Sequence, residues 1–331
     1  MRKFVIIFIL SLLTTSIANS APKVAVEKVT YRGWIDSYRI TAGAYSIVVV
    51  PEIGGRVMEY SINGRNVLFE NRDEFGKTYP ITKEWHNYGG YMTWLAPQEA
   101  WVWPPDPMLD FGKANVEILQ SPNGTPVLKV TGSPSLASGM MFTKEISLDE
   151  TGEVVLKERM HNIGSKKVKY SLWSVTETKA PCFVAFPVKK KSRFENGLLY
   201  VVNESKNSRQ FMVKKGICIT NYLGELGKIG ADTDGPWMVW INDDLAYVKI
   251  IPPMVKGKEY PDGGCSAQVF TSQGKPGYVE MEVMGPIADL KPGEGTETVE
   301  RWRIFQLSQP VTDENRVLKA IDGMHSKKWI P

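Results

Sequence analysis

From residue 24 onward the chain is written in short runs rich in Val, Ile, Tyr and Thr, separated by Gly, Asn, Asp and Pro. Apolar side chains at every second position mark a half-buried strand, and turn formers clustered between such runs mark hairpin connections. Residues 45–50 run apolar up to Pro51, Gly54-Gly55 turns the chain into residues 56–60, and Asn63-Gly64 leads into residues 66–69. Asn-Gly between two strand-like runs is the strongest short hairpin signal, because the favoured turn needs positive φ at both central positions. The pattern resumes at 114–120, 126–130, 140–148, 154–161 and 168–176, and continues at 183–188, 198–203, 216–222, 237–241, 246–251, 267–271, 278–284 and 297–306. Nothing between Val24 and Arg303 keeps a 3.6-residue apolar stripe over three turns. Only residues 312–323 read as a helix, with Thr312 or Asp313 as N-cap and Gly323 just past the end. About twenty short strands without a linker or fixed-period repeat predict one all-β domain over residues 21–331, built as two large antiparallel sheets packed face to face.

One stretch stands outside this pattern. Residues 85–107 hold four of the chain's ten tryptophans, with Gly89-Gly90 and Pro104-Pro105 interrupting any period. They predict a long ordered loop, too aromatic and too poor in charge for disorder. Flat aromatic faces beside a few polar groups (His86, Asn87, Gln98, Glu99, Asp106) suit a sugar ring, whose C–H faces stack on indole while its hydroxyls bond amides and carboxylates. The competing reading is that the indoles cap one end of a hydrophobic core.

Composition narrows the classes. Arg2 and Lys3, the apolar run 4–13 and small residues around Ala18-Asn19-Ser20-Ala21 read as a cleaved signal peptide over residues 1–20, too short to span a bilayer and leaving no transmembrane anchor. The expected location is periplasmic or secreted. Net charge is +4 with basic residues scattered, so nucleic acid is not an expected partner; the Lys189-Lys190-Lys191 run with Arg193 reads as a solvated turn. Cys182, Cys218 and Cys265 are an odd, widely spaced set that fits no disulfide framework or zinc motif, though one bridge and one free thiol stay open. His86, His161 and His325 share no metal-ligand spacing, so neither metal nor cofactor is expected; a carboxylate and carbonyl calcium site would leave no such mark.

Several stretches together carry a resemblance: Gly54-Gly55-Arg56-Val57; Asn87-Tyr88-Gly89-Gly90 through Trp94-Leu95-Ala96-Pro97-Gln98; Trp103-Pro104-Pro105-Asp106-Pro107; Leu172-Trp173-Ser174-Val175-Thr176-Glu177; Tyr260-Pro261-Asp262-Gly263-Gly264; and Tyr278-Val279-Glu280-Met281-Glu282 before Leu290-Lys291-Pro292-Gly293-Glu294. Over nearly all of the chain past the leader, it resembles an uncharacterised bacterial domain family of the galactose mutarotase-like superfamily, which also holds aldose 1-epimerases and many carbohydrate-binding domains. The resemblance implies a β-supersandwich. In aldose 1-epimerases a carboxylate takes the anomeric proton while a histidine protonates the ring oxygen, an acid and a base on opposite edges of one ring.

Glu282 matches the place of the epimerase base, with Glu280 on the same strand face as the alternate register. The strand that would carry the acid histidine offers Trp173 and Glu177 instead, which leaves His86, His161 or Glu177 as acid. Arg56, Trp94, Gln98, Trp101, Trp103, Asp106, Trp173 and Glu280 are the candidate saccharide contacts. Arg56 has a second reading, bracing the loop by pairing with Asp106 or Asp110. Three functions follow from different classes: an exported module that binds a saccharide or glycan, which is the favoured one; a sugar-active enzyme of the mutarotase kind with Glu282 as base; and an envelope protein whose aromatic loop docks a protein partner. The sequence does not set the oligomeric state.

Overall fold

The computed structural model describes residues 24–233 and 235–331. The predicted signal peptide therefore lies outside the described residues. Two antiparallel sheets organise the described residues, one of twelve strands and one of nine. The larger runs in the order Ala25–Tyr31, Trp34–Ala42, Tyr45–Val50, Arg56–Ile62, Tyr91–Ala96, Val168–Lys179, Tyr278–Met284, Ala267–Thr271, Gly227–Ala231, Leu199–Tyr200, with two short strands pairing beside it. The smaller is centred on Trp237–Ile250, Gly295–Val311 and Val154–Asn162. Two large antiparallel sheets and one terminal helix are the sandwich that the sequence predicts.

The sheets meet along alternating apolar faces. Val57, Tyr91, Val279, Met281 and Val283 of the larger sheet pack against Leu128, Ile146, Leu156, Trp240 and Trp302 of the smaller. The terminal helix, Glu314–Ser326, lays Val317, Ile321 and Met324 on the opposite face of the smaller sheet, against Trp237, Val239, Ala246 and Val248. Asp313 caps it by accepting from the backbone N–H of Asn315 and Arg316, and the helix runs past Gly323, where its end was expected.

The aromatic stretch is not a loop throughout. Tyr91–Ala96 is a central strand of the larger sheet, paired with Val168–Lys179. No alternation betrays it because all six residues are buried: Tyr91 and Thr93 face the sandwich interior, Met92 and Trp94 the other side. Its start needs glycine. Gly90 has φ +77°, and a Cβ there would lie 2.5 Å from the carbonyl oxygen of Val57. The runs 237–241 and 246–251 are likewise one strand, Trp237–Ile250, whose register shifts at Asp243, φ +56°. All three cysteines are buried and free. No helix among the described residues is long and apolar enough to cross a membrane.

Candidate functional site

Strand alternation gives the larger sheet a second face, turned away from the sandwich core. Registered neighbours place its side chains. Trp94 lies opposite Trp173, and Trp173 opposite Met284. One row along, Met92, Val175, Glu282 and Gln268 follow one another across four strands; on the other side of Glu282, Glu177, Glu280, Phe270 and Lys228 do the same. Three carboxyl side chains, one lysine and two indoles thus share one face, although they come from segments nearly two hundred residues apart.

The indoles tile this face edge to face. Trp94 meets Trp173 at 5.3 Å and 82°, and Trp103 at 5.9 Å and 86°; Trp101 stacks obliquely on Trp103 at 6.4 Å. Their polar edges are committed. Trp173 Nε1 donates to Glu282 Oε2 at 2.8 Å, Trp94 Nε1 to Asp110 Oδ1 at 2.9 Å, and Trp101 Nε1 to the Leu95 carbonyl at 2.9 Å. A cavity of about 820 Å³ opens beside Trp94 and Trp101, walled by Pro104, Pro105 and Tyr170, with Asp106 on its rim. Asp106 also caps the single helical turn Pro107–Asp110 and accepts from Ser135.

Glu282 is fully buried. The Lys228 ammonium approaches its Oε2 at 3.0 Å and lies 4.7 Å from the Trp173 ring. Burial opposes the charge on Lys228, and the carboxylates of Glu282 and Glu280 outweigh it, so its pKa is raised. The Glu280 carboxyl is pushed well above the ordinary range, first by burial and then by the neighbouring charges of Glu282 and Glu177. Glu177 is pushed up to about 8, again chiefly by burial, against the pull of Arg56 and an amide contact from Asn87. Glu282 Oε1 and Gln268 Oε1 are buried and meet no hydrogen-bond partner among the described residues. A buried polar atom without a partner is uncommon in a folded protein, and a cluster of them on one face is a place where a ligand's hydroxyls would be satisfied.

Arg56 pairs with Asp110, Nη2 to Oδ1 at 2.6 Å, and donates to the Gly89 carbonyl at 3.1 Å, which is the bracing role; its Nε meets no partner among the described residues. His86 is buried and stacked flat on Tyr79 at 3.5 Å, next to Tyr88 and Phe111, one aromatic layer from Arg56. Gln98 is exposed at the start of a short turn beyond the strand end. His161 is apart from all of these. It projects from the strand Val154–Asn162 of the smaller sheet, on the side opposite inward-facing Met160, where its Nε2 meets Thr143 Oγ1 at 2.9 Å. Both sheets lie between His161 and Glu282, so the two do not face one cavity.

Sequence reasoning passed over Lys228 and Gln268. Each lies on a strand of mixed, weakly patterned residues, and the strand order that sets them opposite Glu280 and Glu282 joins non-consecutive segments. A lone lysine within an otherwise apolar strand is the only mark Lys228 leaves. Among the described residues no group of three or more His, Cys, Asp or Glu is placed to hold a metal ion.

Solved structures share the fold at low identity. A galactose mutarotase-like protein from Clostridium acetobutylicum aligns with a TM-score of 0.55 at 13% identity, over 87% of this chain and 100% of its own. A candidate aldose 1-epimerase from Klebsiella pneumoniae aligns with a TM-score of 0.59 at 10% identity, over 92% of this chain and 87% of its own. A TPR-domain containing protein from Parabacteroides distasonis aligns with a TM-score of 0.58 at 15% identity, over 83% of this chain; the chain spans about half, 48%, of that protein's length. Nothing matches among curated proteins. Residues 35–305 match the family described as Domain of unknown function (DUF4380), and the chain belongs to that family.

Proposed function

We propose that this protein recognises a saccharide on the outer face of its twelve-stranded sheet. One observation carries the reading: indole faces and unsatisfied buried carboxyl and amide oxygens lie side by side on one sheet face. Apolar ring faces and convergent polar atoms are the two things a sugar needs at once, and a pocket of mostly apolar walls with few polar groups is the usual form of a small-ligand site. Trp94 and Trp101 line the open cavity, Trp103 covers Trp94, and Glu177, Glu280, Glu282 and Gln268 lie outside that cavity's lining, farther across the same sheet face. The mutarotase-like fold of the neighbours agrees with this and adds nothing about the ligand. Isothermal calorimetry with a panel of mono- and oligosaccharides tests it. Saturable binding is expected, weakened about tenfold by Trp101→Ala, the size of one lost aromatic contact. Silence across the panel at millimolar sugar would sink the proposal.

A second reading, catalysis of anomer exchange, is favoured by the protonation of the carboxyl groups. His86 is held in a flat stack with Tyr79, so the proton donor would be Glu177, neutral at pH 7 because its pKa lies near 8, and the base would be Glu282. Matching an acid and a base to one ring is the requirement of ring opening. NMR exchange spectroscopy on aldoses is the check: Glu282→Gln is expected to lower the exchange rate by on the order of 100-fold. Exchange no faster than in buffer leaves binding alone.

A further inference from the structure

A second cavity, of about 650 Å³, opens where the strands Val168–Lys179 and Tyr278–Met284 emerge from the sheet. Arg32, Arg72 and Lys179 line it with one carboxylate, Glu70, between the aromatic walls of Phe69 and Phe75. Three cations against one anion leave net positive charge, and Glu70 cannot offset it further because its own capacity is filled. Tyr31 Oη and Arg32 Nε donate to its Oε1 at 2.8 and 2.9 Å, and Asn66 Nδ2 and Arg32 Nη2 to its Oε2 at 3.2 and 3.4 Å. Lys179 Nζ donates one proton to the Asn66 carbonyl at 2.8 Å, which leaves two. Arg72 is exposed, and its side chain has no hydrogen bond or ion pair among the described residues. Burial lowers the Lys179 pKa; the carboxylates of Glu70 and Glu59 oppose this, and Arg32 and Arg72 add to it.

We infer that this cavity is an oxyanion site, taking a carboxylate or sulfate carried by an acidic saccharide. A planar guanidinium fork and a pointed ammonium converging on one space are the donors such a group requires. The saccharide part rests on the proposed function and on position. Lys179 is two residues beyond Glu177 on one strand, its register partner Tyr278 is two residues before Glu280 on the next, and Phe69 stacks on Tyr278 at 5.1 Å. Two residues along a strand is roughly 7 Å, so a ring held at the carboxyl groups brings a charged substituent within reach of the cationic pocket.

Calorimetric titration at low ionic strength with inorganic sulfate probes the pocket without any sugar, and D-galacturonate against D-galactose probes the saccharide. Sulfate is expected to saturate, with affinity falling as sodium chloride rises. Arg72→Gln, on an exposed side chain that the fold does not use, should weaken sulfate about tenfold or more, the scale of a lost charge-assisted bond. Lys179→Gln should act in the same direction. Galacturonate should bind more tightly than galactose to the parent protein and lose that advantage in Arg72→Gln. Absence of saturable sulfate binding, or sulfate binding indifferent to both substitutions, overturns the oxyanion site. Sulfate binding with no preference for galacturonate keeps the oxyanion site and overturns its assignment to an acidic saccharide. Galactose binding without sulfate binding leaves the saccharide face standing and this inference refuted.

Discussion

A carboxyl group buried without a full counter-charge makes stability a function of pH, and Glu177 is the clearest case here. Its pKa in the folded protein is raised to about 8, while the unfolded chain returns it to its ordinary value near 4.5. Below that lower value both states are protonated and the group is neutral to folding. Between the two values the folded state holds a proton the unfolded state has released, so stability falls as pH rises, and the loss is complete above the folded pKa. Glu280, raised in the same sense on the same face, adds to the slope. The urea midpoint should therefore decline from pH 5 to pH 9, as the free energy of unfolding falls by on the order of a few kcal/mol in all. Glu177→Gln should flatten that decline and raise the midpoint at pH 9. A midpoint that climbs over this interval would mean these carboxyl groups are ionised and compensated. Because the same protons serve catalysis in the second reading, any exchange activity should fade over the same interval in which stability is lost.

At the scale of elements, half-buried strands were legible and fully buried ones were not. Met140–Leu148 and Val154–Asn162 alternate buried with partly exposed positions, and alternation is the pattern a sequence can display. Tyr91–Ala96 sits between two strands with packing on both faces, so its period is erased, and proline and tryptophan on its flanks made it look like a loop. The same distinction explains the site. Glu282, Glu280 and Trp173 could be named from the sequence because they lie on strands whose surroundings carry a resemblance, and the pairing of Arg56 with Asp110 because an arginine beside a tight glycine turn suggested a carboxylate partner, Asp106 or Asp110. Lys228 and Gln268 escaped because sheet neighbours here are remote in sequence, and the chain offers no local sign of which strand lies beside which. His161 was misplaced for the converse reason: a strand can be read without knowing which sheet it joins.

Across the whole molecule, the two sheets are held by a charged cluster as well as by apolar packing, and the cluster reaches the site through one strand. Lys249, of the smaller sheet, is fully buried; its Nζ lies 3.2 Å from Glu300 Oε2 and donates to Thr176 Oγ1 at 3.0 Å. Ser174 Oγ donates to Glu300 Oε1 at 2.5 Å and Trp302 Nε1 to Oε2 at 2.9 Å. Ser174 and Thr176 belong to the larger sheet and point inward, while Val175 between them and Trp173 and Glu177 on either side face the candidate site. A buried pair of this kind contributes little net stability, because desolvation offsets attraction, yet removing one partner strands the other. Lys249→Met is therefore expected to destabilise by about 3–5 kcal/mol in urea unfolding. Adding Glu300→Gln should return part of that loss, so the double variant is more stable than the sum of the single changes predicts by at least about 1 kcal/mol. Strict additivity would show that Ser174 and Trp302 satisfy Glu300 by themselves, and that the lysine joins the sheets only by packing.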